Sequence, residues 1–149
     1  MRLTSVFCIL FVGAALTAAG ASATPPVPVS IAAQTVDAAN GDASGPFTAS
    51  GPVCPSGMTY TESRDTAGFE RGFGGQIRVT KLFVCDDGSG SFELKLNVAI
   101  RFGPFSDTYR WVVVGGTGAY ENLHGTGSGT GTPTDDFLLD EYTGTMHSD

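Results

Sequence analysis

The chain is short of charge, and shorter still of positive charge. Asp, Glu, Lys and Arg make up 15% of its 149 residues, against about 25% in ordinary soluble domains. Eight Lys and Arg stand against fifteen Asp and Glu, a net charge of −7. Phosphate binding needs a basic face, so nucleic acid is not expected as a partner. The chain has two histidines and three cysteines, and no C-x-x-C, so zinc and redox motifs have no support. It has no G-x-S-x-G, and His124 is the one histidine away from the C-terminus, which leaves a hydrolase reading without its nucleophile motif. A phosphate loop needs Gly-Lys-Ser/Thr, and the last lysine is Lys95. G-x-G-x-x-G fails at Glu121, where the third glycine would follow Gly116 and Gly118. Asp86, Asp87, Asp135, Asp136, Asp140 and Glu141 read as solvated turn carboxylates, because their spacing is not that of a calcium loop. No metal and no other cofactor is expected.

Glycine is what the chain has in quantity. Its 21 residues are about twice the usual ~7% share. Much glycine and little charge disfavour a helical bundle and favour strands joined by tight turns. The length suits one domain.

Residues 1–23 read as a signal peptide. Arg2 supplies the positive start, Val6 to Ala19 are apolar or small, and Ala21-Ser22-Ala23 fits an A-x-A cleavage site. The run falls short of the ~20 apolar residues of a membrane span. The expectation is a secreted protein starting near Thr24, with no membrane association after cleavage. Loss of Arg2 moves the net charge from −7 to −8. Cys8 leaves with the leader, and Cys54 and Cys85 remain. An even pair in an oxidising compartment predicts a disulfide. Closing a loop of about 30 residues, it is worth roughly 3–4 kcal/mol.

Along the rest, residues 24–45 read as a tail or an edge strand, and 46–149 as the barrel domain, its core drawn from 47–146. Gly45 to Gly51 looks like a short strand, Cys54-Pro55-Ser56-Gly57 a turn, Met58 to Glu62 the start of a strand, and Arg64 to Gly75 a loop. In Gln76 to Cys85 the apolar parity changes after Lys81, as a β-bulge there would produce. Asp86 to Gly90 is a turn. The clearest strand follows: Phe92, Leu94, Leu96, Val98, Ile100 and Phe102 on one face, Glu93, Lys95, Asn97, Ala99 and Arg101 on the other. Gly103-Pro104 breaks it. Asp107 to Val114 is another strand, with Tyr109, Trp111 and Val113 on one face; Val112 and Val114 suggest that both faces are partly covered. Gly115 to Thr132 is either a flexible linker or a strand pair with glycine bends, and Leu138 to Met146 is the last strand. Seven or eight such strands make a barrel or a sandwich, and their length favours a tilted barrel. Phe92, Leu94, Leu96, Val98, Ile100, Tyr109 and Trp111 then line the interior. A filled core and a ligand cavity both stay open on this reading.

The run Val112-Val113-Val114-Gly115-Gly116-Thr117-Gly118-Ala119-Tyr120, followed by Leu123-His124-Gly125-Thr126-Gly127, resembles the allene oxide cyclase/dirigent superfamily. The likeness extends over residues 76–146. The chain is similar to exported bacterial relatives with a Cys-Pro-Ser-Gly turn and a Cys-Asp-Asp-Gly-Ser-Gly turn. The turn motif is carried by Gly115, Gly116, Thr117, Gly118, Tyr120 and Gly125. Its glycines permit a tight connection, and its aromatic plugs the barrel end. The resemblance implies an all-β, antiparallel eight-stranded barrel with an apolar pocket. It also implies a small hydrophobic compound guided through cyclisation or coupling without a cofactor, and a homo-oligomer. The family's catalytic acidic residues find no match in this sequence, so no catalytic residue is assigned. The alternative is a non-catalytic secreted structural or interaction barrel with a filled core.

Overall fold

A computed structural model describes residues 24–37, 43–71, 74–101 and 107–149. The expected signal peptide, Phe102 and the Gly103-Pro104 break lie outside the described residues. The described residues form eight strands: β1 (Val27–Asp37), β2 (Ala43–Ser50), β3 (Ser56–Ala67), β4 (Gly74–Cys85), β5 (Gly90–Arg101), β6 (Asp107–Gly118), β7 (Leu123–Pro133) and β8 (Leu138–Ser148). A single turn of 3-10 helix, Phe69–Arg71, lies between β3 and β4. Each strand pairs antiparallel with the next, and β8 pairs with β1 to close the barrel. Closure removes the sheet edges that an open sheet would expose.

Period-two alternation sets which side chains fill the interior. On β5, Phe92, Leu94 and Leu96 are buried, Val98 and Ile100 are partly buried, and Lys95, Asn97, Ala99 and Arg101 are exposed. Residues 24–45 hold more than a tail or an edge. β1 pairs on both sides and buries Val29, Ile31 and Ala33, so the core starts well before residue 47. A strand hides only alternate residues, so β1 needs no long apolar run.

Two other expectations shift. β4 runs straight through Lys81, in unbroken register with β5 from Gly74 opposite Arg101 to Val84 opposite Ser91. Ile77, Val79, Lys81, Phe83 and Cys85 all face inward. The irregularity lies across the ladder, in β3 between Thr61 and Ser63. The parity change in the sequence arises because Lys81 is an inward charge while Leu82 and Val84 lie on the other face. Arg64 to Ala67, expected in a loop, continue β3. On β6, Val112 and Val114 are 38% and 49% exposed, so the outer face is not covered. Val114 is the extra residue of a register shift, since Glu93 pairs with Gly115 and Leu94 with Val113.

Gly115 to Thr132 form the end of β6, a turn and most of β7. β7 contributes glycines to the interior because rings occupy the space beside it. A Cβ at Gly127 would collide with the Trp111 ring, and one at Gly129 with the Tyr109 ring. Trp111 Nε1 donates to the Ser128 carbonyl oxygen at 3.1 Å.

One end of the barrel is packed solid. Phe83 and Phe92 stack at 4.9 Å, and the Phe47 ring meets both edge-on at 5.2 and 6.2 Å. Tyr120 sits edge-on to Phe92 at 5.6 Å, and its hydroxyl lies 3.0 Å from Ser89 Oγ. Gly118 of the turn motif takes a φ of +61°, which a side chain rarely adopts. A Cβ at Gly116 would meet the Tyr120 carbonyl. Gly115 and Gly125 are partly buried and Thr117 is exposed, its hydroxyl 2.9 Å from Ser91 Oγ. Cys54 and Cys85 are bridged at this end, with Cα atoms 5.9 Å apart.

Candidate functional site

The other end of the interior holds a cavity of about 120 Å³. Its apolar wall includes Ile77 and Val79 from β4, Leu96, Val98 and Ile100 from β5, and Leu138 from β8. Tyr109, Lys81 and Asp140 add polar atoms, and Ala43, Thr61, Arg64 and Asp107 complete the lining. Strand departure opens this end. β2 last pairs with β3 at Ser44 and Tyr60, while β3 runs on to Ala67 paired with β4 alone. Ala43, Thr61 and Arg64 lie at that parting.

Of the residues expected to line a cavity, Leu96, Val98, Ile100 and Tyr109 do so. Phe92, Leu94 and Trp111 are buried away from it. Phe92 is taken up by the stack with Phe83, and Trp111 by the glycine wall of β7 and Gly144. Inward parity places a side chain in the barrel; its height along the axis decides whether it meets a void or a ring.

The cavity's polar feature is one that sequence reading missed. Lys81 Nζ lies 3.7 Å from Asp140 Oδ2, with both side chains buried. Thr35 Oγ1 donates to the same Oδ2 at 3.3 Å. Asp140 is therefore no solvated turn carboxylate: β8 carries it inward, in phase with Tyr142 and Met146. Lys81 had a legible signal, since it shares its parity with Phe83 and Cys85. Asp140 had a similar one in Tyr142.

Burial pushes the Asp140 carboxyl above its ordinary range, more strongly than Lys81 and Thr35 pull it down. Asp107 is raised by burial and pulled back by Arg64. Burial, reinforced by the Asp140 charge, holds the Tyr109 phenol well above its usual value. Its hydroxyl donates to the Glu141 carbonyl oxygen at 3.1 Å, which fixes the ring as a wall. Among the described residues, the buried Thr59 Oγ1 and Tyr142 Oη make no hydrogen bond of ordinary geometry. The Tyr109 hydroxyl is close enough to Tyr142 to affect its titration.

Such a site offers apolar contact on most sides and one ion pair as its polar anchor. Among the described residues no group of three or more His, Cys, Asp or Glu is placed to hold a metal ion. His124 points outward from β7, with Nε2 3.1 Å from Asp149 Oδ2, and takes no part in the cavity. Compared with protein-family models, with curated proteins and with solved structures, the chain matches none.

Proposed function

We propose that the chain is an exported allene oxide cyclase/dirigent-like barrel. On this reading it takes a small hydrophobic compound into the open half of its interior and guides its cyclisation or coupling without a cofactor. One observation carries the reading: the interior is filled unevenly. Rings pack one half, and the other keeps an apolar-walled cavity with a buried ion pair on its surface. Protein interiors rarely leave voids larger than a water molecule. A buried ion pair adds little to stability for its desolvation cost, so its presence beside a void favours a role in binding.

Size narrows the ligand. Ordinary ligand pockets span about 300–1,000 Å³, and a cavity near 150 Å³ takes a benzene ring. At about 120 Å³ the enclosed part is a single compact ring or a short chain. A longer molecule would leave its remainder outside the mouth. The resemblance also implies a homo-oligomer, for which outward Met58, Tyr60 and Val84 on β3 and β4 supply apolar surface.

Saturation-transfer NMR with phenol, cyclohex-2-enone and a polyunsaturated fatty acid tests this reading. Saturable binding of at least one is expected, and Val98→Phe should abolish it while the far-UV circular dichroism stays unchanged. No saturable binding across the panel overturns it and leaves the structural or interaction barrel. N-terminal sequencing of the exported protein should begin at or near Thr24; a full-length cytosolic product would refute export.

A further inference from the structure

We propose that Asp140 and Lys81 form a proton-transfer site, and that its substrates are small cyclic ketones with an acidic C–H beside the carbonyl. The inference rests on reading the open half as a pocket. Both side chains line the same cavity. Thr35 Oγ1 donates to Oδ2 of Asp140, and Lys81 Nζ faces the same oxygen. Gly131 keeps the space beside Oδ1, since a Cβ there would lie 3.2 Å from it. A carboxylate in an apolar pocket beside a cation, with Thr35 holding one of its oxygens, has the parts of a general base with a stabiliser for the developing oxyanion. Burial raises the affinity of Asp140 for a proton, which strengthens it as a base.

The step balances without an oxidant or reductant. With a β,γ-unsaturated ketone, Asp140 takes the proton between the carbonyl and the double bond. The C–H electron pair enters the dienolate, and the carbonyl π pair moves to oxygen, where Lys81 Nζ stabilises it. The Asp140 carboxylic acid then returns the proton to the far carbon. The product is the conjugated ketone, and the carboxylate is regenerated.

The test is conversion of cyclohex-3-enone to cyclohex-2-enone, followed by the absorbance of the conjugated product. Saturation-transfer NMR of cyclohex-2-enone measures binding separately. Turnover above buffer is expected, and Asp140→Asn should lower it roughly 10²–10⁴-fold while binding persists. Lys81→Met should lower turnover with a smaller change in binding. A second measurement needs no variant. The wild-type rate should rise with pH through the titration of Asp140, above the ordinary carboxylate range. The groups around Asp140 are Thr35 on β1, Lys81 on β4, Asp107 and Tyr109 on β6, and Tyr142 on β8. Enone binding without turnover, turnover untouched by Asp140→Asn, or a flat profile from about pH 4 to 8 overturns the proton-transfer role and leaves the pocket standing. No enone binding overturns the proton-transfer role, and no saturable binding of any of the three probes overturns the pocket as well.

Discussion

Lys81 and Asp140 meet inside the barrel from strands four places apart, Nζ to Oδ2 3.7 Å, each side chain 6% exposed. In an eight-stranded closed sheet β4 and β8 are diametrically opposed, so the pair spans the interior. Removing one partner strands a buried charge, at a cost of about 3–5 kcal/mol; replacing both with apolar residues is often neutral or stabilising. Lys81→Met alone should therefore destabilise strongly, and Lys81→Met with Asp140→Leu should recover most of the loss. A double-mutant cycle in urea checks this; additive losses would show that the two side chains are not coupled.

Asp140 also gives stability a pH dependence of definite sign. Its folded-state pKa is raised above the ordinary 3.8. Between those two values the native state holds a proton that the unfolded state has released, so the Asp140 contribution falls as pH rises through that window. It is flat above the raised value. Unfolding free energy against pH, wild type minus Asp140→Asn, should show this decline; a rise would contradict the raised pKa.

Loss of the bridge between Cys54 and Cys85 should cost about 2–5 kcal/mol. The cysteines are 31 positions apart, so the bridge restrains a long loop in the unfolded chain. Cys54→Ala with Cys85→Ala, compared with wild type by denaturant midpoint, measures it. Non-reducing peptide mapping of the native protein should find the two cysteine peptides linked.

β7 should tolerate added methyl groups very unevenly. At Gly129 a Cβ meets the Tyr109 ring and the Glu141 carbonyl, while at Gly131 the nearest atom is 3.2 Å away. Gly129→Ala should cost more than about 3 kcal/mol, at or beyond the upper end for overpacking, and Gly131→Ala about 1 kcal/mol or less. Thermal unfolding of the two variants separates them; equal effects would mean the rings do not lean on β7.

Leu96 is buried and Lys95 exposed on the same strand. Leu96→Asp places an unpaired charge in the core and should prevent folding or abolish expression yield. Lys95→Ala should stay within ±0.5 kcal/mol. Similar tolerance at both positions would show that the register of β5 is different.

Much of this barrel is legible in the sequence. Strict alternation from Phe92 to Ile100 tells which face turns inward, because only one face of a strand can leave water at low cost. The Asp86 to Gly90 turn and the pairing of Cys54 with Cys85 follow from turn chemistry and an even cysteine count. β1 and β7 are harder to read: one buries Val29, Ile31, Ala33 and Thr35 at alternate positions, the other turns glycines inward. Neither leaves an apolar run: a half-buried strand hides only alternate residues, and on β7 the Trp111 and Tyr109 rings fill the space the glycines leave. Closure of β8 onto β1, the solid half against the hollow half, and the meeting of Lys81 with Asp140 belong to tertiary structure alone. Each depends on strands far apart in sequence and on height along the barrel axis. A period of two reports which face a side chain takes; it carries no information about which side chain stands opposite.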